Sequence, residues 1–88
     1  MSQNLIEKLT KCLVDTFVFL ETSSEEVVNE DSAIEMMEQL GADIQSLDEI
    51  SKKQLRKQIL IISSGYPKPL GDIIKKMPEN LGIINSQS

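Results

Sequence analysis

Side chains able to carry out chemistry are few in this sequence, and they are one-sided. The 88 residues contain no histidine and one cysteine, Cys12, against 14 aspartates and glutamates. Without histidine, the commonest general base near neutral pH and the commonest metal ligand are both missing. A nucleophilic thiol needs a base or cationic surroundings to lower its pKa, and Lys11 is the sole basic neighbour of Cys12. Cys12 therefore reads as a half-buried structural thiol.

The densest oxygen donors are Glu25, Glu26, Asn29, Glu30 and Asp31. A helix–loop–helix calcium site needs alternating oxygen ligands, a glycine at the sixth position and a glutamate at the twelfth. That register is missing here. Two carboxylates cutting a glycosidic bond would need a sugar-binding cleft, and the chain has no Trp to floor one. There is no glycine-rich phosphate loop and no G-x-S-x-G elbow. The expectation is a protein without catalysis, metal or cofactor.

What remains is a charge pattern. From Cys12 to Ser51 the chain carries eleven acids and no lysine or arginine. From Lys52 onward it carries seven basic residues against two acids, and the whole chain is at −5. Such asymmetry bears on partners and association rather than on fold. Acids on a helix surface are commonly offset by a lysine four residues on, and that stabilisation is given up over forty residues. Concentrated negative charge steers a basic partner and raises its on-rate by about 10–10³. Glu25, Glu26, Glu30, Asp31, Glu35 and Glu38 are accordingly the candidate partner-binding residues. Lys52, Lys53, Arg56 and Lys57 form a basic face. The overall acidity and the lack of interleaved aromatics weigh against nucleic acid, so these residues are expected to balance the acids of the preceding helix.

The elements that must position these side chains are helical. Leu5, Leu9, Leu13, Phe17 and Leu20 recur at helical spacing and predict a first helix over about 3–21, with Ile6, Val14 and Val18 widening its apolar stripe. Thr22, Ser23 and Ser24 open a loop that Val27 and Val28 would pin to the core, unless Ser24 begins a short turn. Asn29 is a good N-cap, and Glu30 and Asp31 suit the first turn of a second helix. One face of that helix reads Ala33, Met37, Leu40, Gly41, Ile44 and Leu47, with Asp31, Glu35 and Glu38 opposite. Gly41 would allow close approach of another helix. Ser51 and Gln54 fit a capping box, with Ile50 and Leu55 as its hydrophobic staple. The third helix would end at Gly65, and its apolar run Ile59–Ile62 would be surrounded by other helices. Tyr66–Pro69 predicts an extended connector. A short helix over about 70–76, with Ile73, Ile74 and Met77 facing in, and a single turn at Pro78–Gly82 would follow, with Leu81, Ile83 and Ile84 docking back.

These readings predict an all-α, compact bundle of about four helices with short loops. It would be a single domain over 1–84 with a frayed tail over 85–88. No stretch approaches the length of a membrane span. The single cysteine and the missing signal-peptide pattern point to a reducing, cytoplasmic setting.

In size, acidity and helical class the chain resembles the helical immunity proteins of bacterial toxin systems, such as those that neutralise nuclease toxins. The stretch FLETSSEEVVNEDSAIEMMEQLGADIQSL and the ending MPENLGI are also similar to a small bacterial protein type of uncertain role. The immunity resemblance implies an inhibitor that presents acidic side chains to a basic toxin domain. It carries over no site residue. The alternative is a structural or regulatory module that self-associates as a homodimer.

Overall fold

The computed structural model describes residues 2–83. Five helices follow one another, α1 (Gln3–Thr22), α2 (Glu30–Gln45), α3 (Glu49–Ser63), α4 (Leu70–Lys75) and α5 (Met77–Asn80), with no strand among the described residues. The fold is an all-α compact bundle. The expected docking of Ile84 and the expected tail over 85–88 lie outside the described residues.

α3 is the central element. It packs most extensively on α4, and also on α1 and α5, while α2 rests mainly on α1. The core joins Val14 and Phe17 of α1, Ile44 of α2, Ile59 of α3, Ile74 of α4 and Met77 of α5 to Leu81 and Ile83 beyond the last helix. Leu13, Leu40, Leu55 and Ile62 pack around it. The buried hydroxyls close on their own helices: Thr10 donates to the Ile6 carbonyl and Ser63 to the Leu60 carbonyl, both at 2.7 Å.

Several expectations need correction. The buried face of α1 is Thr10, Val14 and Phe17, whereas Leu5 and Leu9 are exposed. At 3.6 residues per turn, residues spaced by four drift about 40° per step. Leu5 therefore stands about 120° from Phe17, and the leucine series leaves the core as it runs back along the helix. Cys12 is exposed rather than half-buried.

α3 begins three residues earlier than the capping-box reading places it. The Asp48 side chain, not Ser51, is the N-cap and accepts from the Ser51 backbone N–H at 2.7 Å. Aspartate caps as well as serine does, and its charge meets the positive end of the helix dipole, so the earlier start adds a turn without giving up a cap. Ile50 is 81% exposed and staples nothing. Farther along, Ile59 is fully buried, but Ile61 points to solvent at 53% exposure. The run is thus covered on one side rather than all round.

The 66–69 connector turns instead of extending, with the Gly71 N–H donating to the Pro67 carbonyl at 3.0 Å. The last helical segment is split in two because Pro78 has no N–H to continue α4, yet suits the first turn of a new helix. Gly82 then takes the left-handed conformation at φ +75°. The chain end is tied to α2 there: Gln45 Nε2 donates to the Leu81 carbonyl at 3.1 Å and also to the Gly82 carbonyl.

Candidate functional site

The turn between α1 and α2 is set by backbone hydrogen bonds. The Ser24 carbonyl accepts from the Val27 and Val28 N–H groups, both at 3.0 Å. The segment is therefore a turn rather than a plain loop. Val28 is half-buried, but Val27 is 66% exposed and does not pin it. Asn29 then caps α2 by accepting from the Ser32 N–H at 3.1 Å. Glu30 and Asp31 occupy the first helical turn, where the dipole favours them.

This turn holds the end of α1 away from α2 and leaves an open groove of about 750 Å³ between them. Leu20, Val28, Ala33, Ile34, Met37 and Gly41 contribute apolar surface to it. Glu21, Glu25, Glu30 and Glu38 stand along it as carboxylates. On α2, Glu30, Ile34, Glu38 and Gly41 follow one another at three- and four-residue spacing and so share the flank that faces the groove. A smaller hollow of about 230 Å³ adjoins it, lined by Glu25, Asn29, Glu30 and Asp31.

All six candidate acids are exposed. The structure gathers Glu25, Glu30 and Glu38 at the groove, and places Asp31 beside Glu25 and Glu30 in the hollow. Glu26 and Glu35 line neither. Glu35 sits one residue round from Ile34, on the outer face of α2. Two groove features escaped the sequence reading. Glu21 was absorbed into the end of α1, and Ile34 fell outside the apolar face assigned to α2. An isoleucine on the polar flank of an amphipathic helix, 51% exposed in the structure, is the signal that would have found the groove.

Among the described residues the groove acids have no cation of their own. Among the described residues the ion pairs are Lys11–Asp15 at 2.8 Å, Lys52–Glu49 at 3.2 Å and Lys68–Asp72 at 3.9 Å. Each joins residues three or four apart, and none links α3 to α2. The expectation that the basic face balances the acids of α2 finds no ion pair among the described residues, since the two helices share little contact. Lys52 is largely covered and pairs with the exposed Glu49 of its own helix, while Lys53 and Lys57 are exposed. Within α2, Asp31 and Glu35 stand four residues apart, a like-charge pairing that costs an isolated helix about 0.2–0.5 kcal/mol.

Among the described residues no three acidic, cysteine or histidine side chains converge as a metal site. No described helix is long and apolar enough to cross a membrane. No protein-family model, curated protein or solved structure matches the chain.

Proposed function

We propose that this is a non-catalytic binding protein whose acidic groove between α1 and α2 receives a basic, amphipathic segment of a partner protein. The observation that carries this reading is the pairing of an apolar floor with a rim of carboxylates that form no ion pair among the described residues. A solvated acidic surface needs no apolar floor. A groove for an apolar helix needs no charged rim. The combination suits a helix laid in a groove, its aliphatic side chains inward and its lysines or arginines along the edge.

The resemblance in size, charge and helical class to immunity proteins gives the finer reading. The partner is then a basic toxin domain, of the nuclease type, which is neutralised when its basic surface is covered. Carboxylates at the edge of such an interface set on-rate and salt dependence, and any that are fully desolvated set the dissociation rate.

The test is calorimetry with a basic toxin domain encoded beside the gene, at two ionic strengths. Binding should weaken with salt and fall sharply in the double variant Glu30→Lys, Glu38→Lys. Glu35→Lys, on the outer face, should change it little. An acidic partner, or affinity indifferent both to salt and to the double reversal, would sink the proposal. Assay of the toxin's own activity with and without the bound protein tests the inhibitory part.

A further inference from the structure

We infer that the acidic groove also takes a second copy of this chain, through the outer stripe of α3. That stripe interleaves exposed apolar residues with lysines. Ile50 is 81% exposed and Ile61 53% exposed, although both belong to the helix that supplies the centre of the core. Lys53, Gln54 and Lys57 lie between them and are exposed too. At 100° per residue these five side chains fall within an arc of about 100°, so they form one face. Lys53 and Lys57 enter no ion pair among the described residues.

The stripe and the groove match in chemistry and in length. The groove has an apolar floor and an acidic rim, and the stripe has isoleucines at its ends and lysines between. Ile50 and Ile61 are eleven residues apart on α3, and Glu30 and Gly41, which bound the groove on α2, are also eleven apart. Each span is about 16 Å along its helix axis. Single exposed isoleucines are ordinary on a protein surface, and an acidic rim alone is merely solvated. Here the two are complementary and sit on different elements of one chain. Seating each copy's stripe in the other's groove closes a twofold pair, whereas one-way seating grows a chain. The net charge of −5 opposes association at long range. At about 0.1 M salt the Debye length is about 10 Å, which screens that repulsion and spares close ion pairs, while about 1 M salt, with a Debye length of about 3 Å, weakens the pairs as well.

The inference shares the groove with the proposed partner site but does not depend on who the partner is. Sedimentation equilibrium of the full chain, from micromolar to near-millimolar concentration, tests it. At the lower salt the mean mass should rise with concentration above the 9.9 kDa of one chain, and it should fall back at the higher salt. The variant Lys53→Glu, Lys57→Glu and the variant Glu30→Lys, Glu38→Lys should each self-associate about tenfold more weakly or worse. All four side chains are exposed, so circular dichroism should report an unchanged fold in both. An equimolar mixture of the two variants should associate again, because the reversed stripe of one then meets the reversed groove of the other. A monomer at every concentration overturns the inference. So does a mixture that stays monomeric, or association that ignores both reversals. The lysine variant keeps its groove intact and should bind a basic partner fully, so loss of self-association and loss of partner binding are read separately.

Discussion

Tyr66 donates its phenolic hydrogen to Asp15 Oδ1 at 3.1 Å, joining the connector after α3 to the middle of α1 across 51 residues of chain. The other carboxylate oxygen of Asp15 accepts from Lys11 Nζ at 2.8 Å. The Lys11 hydrogen bond is the main cause that holds the Asp15 carboxyl below its ordinary 3.8; partial desolvation opposes it, and the Tyr66 hydrogen bond adds a smaller lowering effect. One side chain thus fixes the connector from which α4 starts.

Tyr66→Phe should raise the Asp15 pKa toward its ordinary value and cost under about 1 kcal/mol, since the carboxylate is half exposed and solvent replaces the lost donor. A carboxyl whose pKa is lowered in the folded state stabilises above its unfolded pKa, and loses that contribution as pH falls through the folded value. The difference between parent and variant should therefore be full above pH 3.8 and shrink as the pH is lowered further. Carboxyl-carbon NMR titration and urea unfolding at neutral and acid pH would measure both. A gap that grows on acidification would contradict the assignment.

Asp48, rather than Ser51, should govern the start of α3. The Asp48 carboxyl is held below 3.8 chiefly by the Ser51 backbone N–H. Asp48→Ala should lower the Tm, Asp48→Asn should largely retain it because asparagine caps equally well, and Ser51→Ala should matter least, since it keeps the backbone donor. Stabilisation by the charged cap is present above the unfolded carboxyl pKa and is lost as pH falls through the lower folded one. Thermal melts of the three variants decide between the two caps. A larger loss in Ser51→Ala than in Asp48→Ala would restore the capping box.

Two glycines should respond to alanine with opposite signs. A Cβ on Gly41 would stand 3.6 Å from the Leu81 carbonyl, an ordinary contact. Gly41→Ala should then stabilise by up to about 1 kcal/mol, the helix-propensity difference. A Cβ on Gly71 would meet the Tyr66 carbonyl at 2.8 Å and the Ser63 carbonyl at 3.1 Å, both backbone atoms. Gly71→Ala should cost about 1–3 kcal/mol, as overpacking does. Urea midpoints of both variants provide the comparison, and stabilisation by Gly71→Ala would show that α4 is free to shift.

Ile59→Ala should destabilise by about 2–5 kcal/mol, because the side chain is fully buried at the centre of α3. Leu9→Ala, at a site 53% exposed, should stay within about 0.5 kcal/mol. Equal losses for the two in chemical denaturation would mean that the leucine series of α1 is covered after all.

Helical class, the Asn29 cap and the inward turn of Ile74 and Met77 were legible in the sequence, because period and capping are local properties. The exposure of Leu5 and Leu9 was not, since a four-residue spacing looks straight on paper and drifts on a helix. The choice between Asp48 and Ser51 was a contest between two competent caps, which local rules do not rank. The groove was half legible. Its acids stood out as a charge run, but its floor needs the turn at Ser24 to bring Leu20 and Val28 opposite Ile34 and Met37. Tyr66 and Gly71 were invisible as structural residues, because their partners lie far along the chain or consist of backbone.

Whereas α3 packs on α1, α4 and α5, α2 rests mainly on α1 and brings one buried residue, Ile44, to the core. It also bears the like-charged pair Asp31 and Glu35, and is fastened at its far end by Gln45. Local stability follows buried apolar contact, so the helix stands at the low end of the opening free energies within this fold. Its amides should exchange with solvent through a sub-global opening that leaves the Phe17–Ile59–Ile74 centre closed, and should exchange faster than those of α3. A ligand in the groove would then act as a clamp on a separate cooperative unit. Much of its signature would appear as slowed exchange along α2, from the Asn29 cap to the Gln45 fastening.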